Sequence, residues 1–238
     1  MKEEFDVKEK ILAAAKTEFA EKGYAGARMN AIAEKAAVNK AMLHYYFNSK
    51  ENLYSFMLQT LFKTDTKIKE NEFLSNIKEK LSEWEKLYIA VFFMINVYME
   101  VIDPELHRIM AWEMAEGRKR FSKFAKNFLI PRLEVMESCI QRGVKNGEFK
   151  TSNSILVVID IISLILFYTM NKPLYENTKL YNKLYGKDSK TTLLNFITDH
   201  FGKALSIKEN SSFSISKDLL HSLQDVLKQI QKKGDEAK

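Results

Sequence analysis

Eight glycines and three prolines are all the backbone punctuation in this 238-residue chain. Glycine supplies positive-φ turns and proline interrupts helices, so a β-rich or α/β fold of this length would need more of both. The scarcity points to long helices, and the apolar spacing agrees. Val7, Ile11, Ala14, Ala15 and Phe19 recur at helical intervals over residues 7–22. Asp6 is expected to cap that helix and Gly23 to end it in a left-handed turn. Met29, Ile32, Ala33 and Ala36 repeat the pattern for a second helix. Asn39 should cap a third, with Leu43 and Phe47 inward. Ser49 should cap a fourth, with Leu53, Phe56, Met57 and Leu61 on its apolar face. No segment alternates convincingly as a strand, so the expected class is all-α.

Beyond residue 64 the pattern loosens. Residues 64–82 are mixed and polar, and residues 84–102 are apolar and aromatic. Asp103-Pro104-Glu105 reads as a cap, an N1 proline and a first-turn acid, with Gly117 closing that helix. A helix over about 119–145 contains Pro131 as a kink or a new start, and Gly147 ends it. Asn153 or Ser154 opens the most apolar run, residues 155–170. Residues 172–190 form a polar, tyrosine-rich connection, and another helix covers about 191–207. From about Ser214 an extra amphipathic helix carries Ile215, Leu219, Leu223, Val226 and Ile230 on one stripe. The expected division is 1–50 and 51–238.

The formal charge of +6 suits an anionic partner. Cys139 is the only cysteine, so no internal disulfide can form and a reducing compartment is expected. The N-terminal "MKEEFDVKEK" has no signal-peptide apolar core. The run at 155–170 is broken by Asp160 and Ser163 and falls short of a ~20-residue membrane span. A cytoplasmic protein is expected. No Gly-rich phosphate loop, nucleophile elbow or metal-ligand spacing is present, so neither an enzyme nor a cofactor or metal site is expected. Glu105, Glu113 and Glu116 read as caps and solvated faces.

The stretch "AVNKAMLHYYFNSKENL", residues 37–53, carries the function. With Leu43 and Phe47 inward, the third helix offers Lys40, Ala41, His44 and Tyr45 outward, one short turn after the second helix. That is a helix-turn-helix, whose second helix enters the major groove of DNA. Lys40 can donate to guanine or to phosphate. Ala41 allows close approach to a base edge, and His44 can hydrogen-bond a base or touch a thymine methyl. Tyr45 and Tyr46 can donate hydroxyls to phosphates. Arg28, Asn39 and Lys50 complete the expected phosphate set. From Arg28 to Lys50 four basic residues face one acid, Glu34.

The segments "ILAAAKTEFAEKGYAGARM" and "IAEKAAVNKAMLHYYFNSKENL" resemble the N-terminal domain of the TetR family of transcriptional regulators, over Ile11 to Tyr54. The chain departs from that family at Ala27, Ala37, Asn39 and His44, where threonine, glycine, serine and tyrosine are common. The resemblance implies a three-helix DNA-binding domain followed by a helical ligand-binding and dimerisation domain. It implies a homodimer on operator DNA, acting as a repressor released by a small, largely apolar or aromatic effector. The last two family helices would build the interface: Ile155, Ile159, Ile162 and Leu166 from one, Leu194, Ile197, Phe201 and Leu205 from the other. The implied pocket draws on Phe92, Tyr98, Met110, Trp112 and Met114, with Phe124, Phe128, Met136 and Phe167. An activator or ligand-independent regulator of the same fold is the alternative. From another class, so is a helical interaction module without DNA binding.

Overall fold

Gly23 breaks the first helix, and for two reasons. In a computed structural model describing residues 2–62, 81–101, 104–207 and 213–235, helix α1 (Lys2–Gly26) is interrupted at this residue, which has φ 66° and ψ 173°. A Cβ here would also lie 2.9 Å from the Trp112 ring. The helix begins before Asp6, which does not cap it; Asp6 instead pairs with Lys10 one turn on, at 2.9 Å.

Helix α2 (Met29–Lys35) starts at Arg28, which supplies no side-chain cap. Its end is a Schellman turn: Val38 N–H donates to Ala33 O and Ala37 N–H to Glu34 O, each at 3.0 Å. The residue in the left-handed position is Ala37, with φ 53°. Helix α3 (Lys40–Phe47) is capped as expected: Asn39 Oδ1 accepts from Met42 N–H at 2.7 Å. Ser49 Oγ accepts from Asn52 N–H at 3.1 Å and so caps helix α4 (Lys50–Phe62). The buried face of α4 is Leu53, Tyr54, Met57 and Leu58. Phe56, expected there, is exposed and meets Phe47 edge-on at 5.6 Å, because its position falls outside the 53/54/57/58 rows. The Leu61 side chain lies outside the described residues.

Then follow α5 (Glu83–Val101), α6 (Pro104–Ala115), α7 (Lys119–Phe124), a π-helical turn (Ala125–Leu129) and α8 (Ile130–Lys145). Asp103 lies outside the described residues. Pro131 has no N–H, and the wider π register accommodates it without ending the helical path. Gly117 and Gly147 close α6 and α8 in the same Schellman geometry as Ala37. The remaining helices are α9 (Ser154–Met170), α10 (Lys172–Tyr175), α11 (Tyr181–Tyr185), α12 (Ser189–Leu205) and α13 (Lys217–Asp235). Every regular element among the described residues is a helix, and none is long and apolar enough to cross a membrane.

Packing divides the chain into two compact units. The first is Met1–Thr64 with Val97–Arg132, the second Asp65–Asn96 with Leu133–Lys238. These units differ from the expected 1–50 and 51–238 division, because α6 and α7 pack with the N-terminal helices. The first core joins Ile11, Phe19, Ile32, Leu43, Leu53 and Met57 to Leu106, Ile109 and Phe124.

In the second unit Glu83 joins Arg142 at 2.9 Å and Lys86 at 2.7 Å. Burial alone would raise the Glu83 carboxyl, but hydrogen bonds from Arg142 and then Lys86 bring it down to about 2. Cys139 is buried beside it, and burial, then the neighbouring Glu83, pushes its thiol up to about 12. Phe213 stacks on Trp84 and meets Phe149 edge-on. Ser216 N–H donates to Glu85, and Leu219 and Leu223 of α13 are buried. The chain's last described helix is thus anchored within its own unit; the Ile230 side chain lies outside the described residues.

Candidate nucleic-acid interface

The Asn39 cap and the buried pair Leu43 and Phe47 fix how α3 is rotated. That rotation leaves Lys40, Ala41, His44 and Tyr45 exposed on one outward surface, with Tyr45 81% exposed. Arg28 and Asn39 are exposed as well. The two tyrosines differ. Tyr46 is half-buried against the core with the Lys8 ammonium 5.2 Å from its ring, so Tyr45 is the one displayed.

The cations sort by their partners. Lys35 bridges Glu21 at 2.7 Å and Glu18 at 2.9 Å. The Lys50 ammonium donates to Ala27 O at 2.7 Å and Ala25 O at 3.4 Å, and it sits 4.6 Å from the Tyr24 ring centroid. These carbonyls, from the end of α1 and the residue just beyond it, engage the lysine's charge within the chain. Burial, then the nearby Arg120 charge, lowers its pKa. Arg28 and Lys40 are left as the outward cations of this stretch among the described residues.

Between α6 and the helices α1, α4 and α7 lies a polar network that sequence reading misses. Glu113, expected on a solvated face, is only 2% exposed. Its carboxylate accepts from Tyr54 OH at 2.8 Å and from Phe121 N–H at 3.0 Å. Burial, then the Glu113 charge, pushes the Tyr54 hydroxyl far above its usual range. The Arg120 guanidinium lies 3.7 Å from the Tyr24 ring and pairs with Glu116. Glu105 accepts from Thr17 at 2.7 Å, and the Trp112 indole N–H donates to Ala20 O at 3.3 Å. Helix α6 is therefore fastened to α1 and α4 by polar side chains. A glutamate on an amphipathic helix carries no sequence mark of burial; only the tyrosine after Gly23 hints at a packed corner.

The expected pocket residues divide between the two units. Tyr98, Met110 and Phe124 belong to the first unit's core, because their helices bury them there. Trp112 covers Gly23 and Met114 is exposed. Phe92 and Met136 are buried in the second unit, Phe167 is exposed, and the Phe128 side chain lies outside the described residues. A shallow hollow of about 570 Å³ lies elsewhere, between α1 and the end of α2, lined by Lys10, Ala13, Ala14, Thr17, Lys35, Ala36 and Ala37.

Most of the expected dimer residues are also turned inward. Ile162, Leu194, Ile197, Phe201 and Leu205 are buried within a single chain, and Ile155 and Leu166 are half-buried. Ile159 is exposed as expected, together with Leu156 and Phe167 on α9 and Phe196 on α12. The Phe196 ring stacks on His200 at 6.0 Å. Helix α9 is apolar apart from a few polar side chains, and the exposed Asp160 and Ser163 lie on the same side as Leu156, Ile159 and Phe167.

Residues 11–55 match the family described as "Bacterial regulatory proteins, tetR family". The chain is 28% identical to the HTH-type transcriptional repressor NicS of Pseudomonas putida, over 81% of this chain and 89% of NicS. It is 39% identical over 56 residues to the biofilm operon icaADBC HTH-type negative transcriptional regulator IcaR of Staphylococcus aureus, covering 24% of this chain and 30% of IcaR. The crystal structure of HlyIIR, a hemolysin II transcriptional regulator, is 27% identical with a TM-score of 0.51, over 86% of this chain and 99% of HlyIIR. The helix-turn-helix at 29–47 and these likenesses agree: residues 11–55 match the DNA-binding domain of the TetR family of bacterial transcriptional regulators, and the all-helical chain as a whole is similar to regulators of that family.

Proposed function

We propose that the chain represses transcription as a homodimer, each copy placing the Lys40–Phe47 helix in the major groove of an operator. The observation that carries this is the exposed set Lys40, Ala41, His44 and Tyr45 on a helix whose rotation the Asn39 cap and the Leu43 and Phe47 packing determine. Lys40, Ala41 and His44 read base edges. Tyr45, Arg28 and the Asn39 amide hold phosphates, while Tyr46 packs on the core and Lys50 engages the Ala25 and Ala27 carbonyls. Residues 1–50 act as the DNA-binding domain and 51–238 as the regulatory one. A DNA target places the protein in the cytoplasm.

One short helix reads too few base pairs, so a second copy is needed, with recognition helices about 34 Å apart. The exposed Leu156, Ile159, Phe167 and Phe196 favour pairing through α9 and α12. Repression is preferred to activation because NicS is named a repressor and IcaR a negative regulator. Release by a small apolar or aromatic effector rests on the family resemblance and on the aromatic-rich residues 84–136. A gel shift with the protein's own upstream DNA at low salt tests the reading: a discrete complex is expected, and Lys40→Ala should weaken it. No complex would refute it.

A further inference from the structure

The His44 ring is held by its own helix end. Asn48, with φ 61° and ψ −46°, closes α3 by donating its N–H to His44 O at 2.8 Å. The same residue's carbonyl lies 3.2 Å from His44 Nδ1. A carbonyl oxygen only accepts, so Nδ1 must carry the hydrogen. In a neutral imidazole the other nitrogen, Nε2, is then an acceptor. His44 is exposed on the outward face of α3, beside Ala41 and one turn after Lys40.

Resting on the DNA-binding reading above, we propose that His44 is a specificity-determining residue that presents Nε2 as an acceptor, and so selects a base with an exocyclic amine, adenine N6 or cytosine N4, on the strand it faces. Guanine and thymine offer only acceptors at the corresponding major-groove edge, O6 and N7 or O4, and two acceptors cannot pair. Lys40, which only donates, takes the opposite preference and favours guanine. The helix therefore carries one obligate donor and, in the neutral ring, one acceptor a turn apart, the Asn48 carbonyl selecting the tautomer that leaves Nε2 free to accept.

The test uses the full-length protein and duplexes with a randomised core, selected near pH 8. The position whose preference disappears in His44→Ala should be adenine or cytosine in the wild-type selection. Replacing that base by purine or by 2-pyrimidinone, which lack the amine, should weaken wild-type binding about 5- to 10-fold, the worth of one hydrogen bond. It should leave His44→Ala unchanged, and a 7-deazapurine at the same position should bind normally. Guanine or thymine at that position, a loss on 7-deaza substitution alone, or an unchanged preference in His44→Ala would overturn the proposal. Failure of the wild type to select any sequence would refute DNA reading itself. Independently of DNA, ¹⁵N spectra of the histidine rings, assigned by the loss of one ring's signals in His44→Ala, should show His44 protonated at Nδ1. Protonation at Nε2 alone would overturn the tautomer argument.

Discussion

Helices α3 and α9 both leave apolar or aromatic side chains in solvent, but they differ in what fixes their rotation. In α3 polar and apolar residues are mixed, and a side-chain cap and one buried row set the face: Lys40, Ala41, His44 and Tyr45 out, Leu43 and Phe47 in. In α9 residues 155–170 are mostly apolar, so Ile162 goes inward while Leu156 and Phe167 go outward, and only Asp160 and Ser163 mark the exposed side. A mixed helix announces its working face, whereas a mostly apolar one marks it with a polar residue or two.

The sharpest way to break that comparison lies in two neighbours on α12. Phe196 is 58% exposed and Ile197 is 1% exposed. Phe196→Asp should weaken dimerisation at least about 100-fold, since an unpaired charge would be buried in the interface, while the subunit stays helical. Sedimentation reads the first and circular dichroism the second. Ile197→Ala should act the other way, costing about 2–4 kcal/mol of folding stability as a core truncation.

Next in size is the buried carboxylate between α4, α6 and α7. Glu113→Ala strands the Tyr54 hydroxyl and the Phe121 N–H, and should cost about 3 kcal/mol in denaturant unfolding, near the sum of two unmet buried groups. Lys50→Ala should cost about 1–2 kcal/mol through its lost bonds to carbonyls, while leaving the salt dependence of DNA affinity unchanged. A slope smaller by about one in log affinity against log salt would return Lys50 to the phosphate contacts. The smallest effect should be a gain. Ala37 occupies the left-handed position that Gly117 and Gly147 fill in the other two Schellman turns, so Ala37→Gly should stabilise the protein by about 0.5–1 kcal/mol.

These contrasts also explain what the sequence could reveal. The four N-terminal helices were legible because caps, turn residues and alternating faces are local signals: Asn39, Ser49 and Gly23 each do what their chemistry suggests. The reassignment of Lys50 was not legible, since the carbonyls that hold it come from Ala25 and Ala27, more than twenty positions away. Glu113 was misread because burial of an acid depends on Tyr54 and Phe121 meeting it in space. For the pocket and interface residues, aromatic and aliphatic composition stands in for position, and burial in a single chain follows position. Phe167, assigned to the pocket, lies on the exposed face of α9.

Two copies of α3 reading one duplex leave a signature in the DNA they select. From a random pool the full-length protein should enrich an inverted repeat with half-sites about one helical turn, or roughly 34 Å, apart, and the enrichment should fall sharply in Lys40→Ala and in Phe196→Asp. Recovery of sequences with no repeat, or binding that ignores sequence altogether, would contradict paired reading.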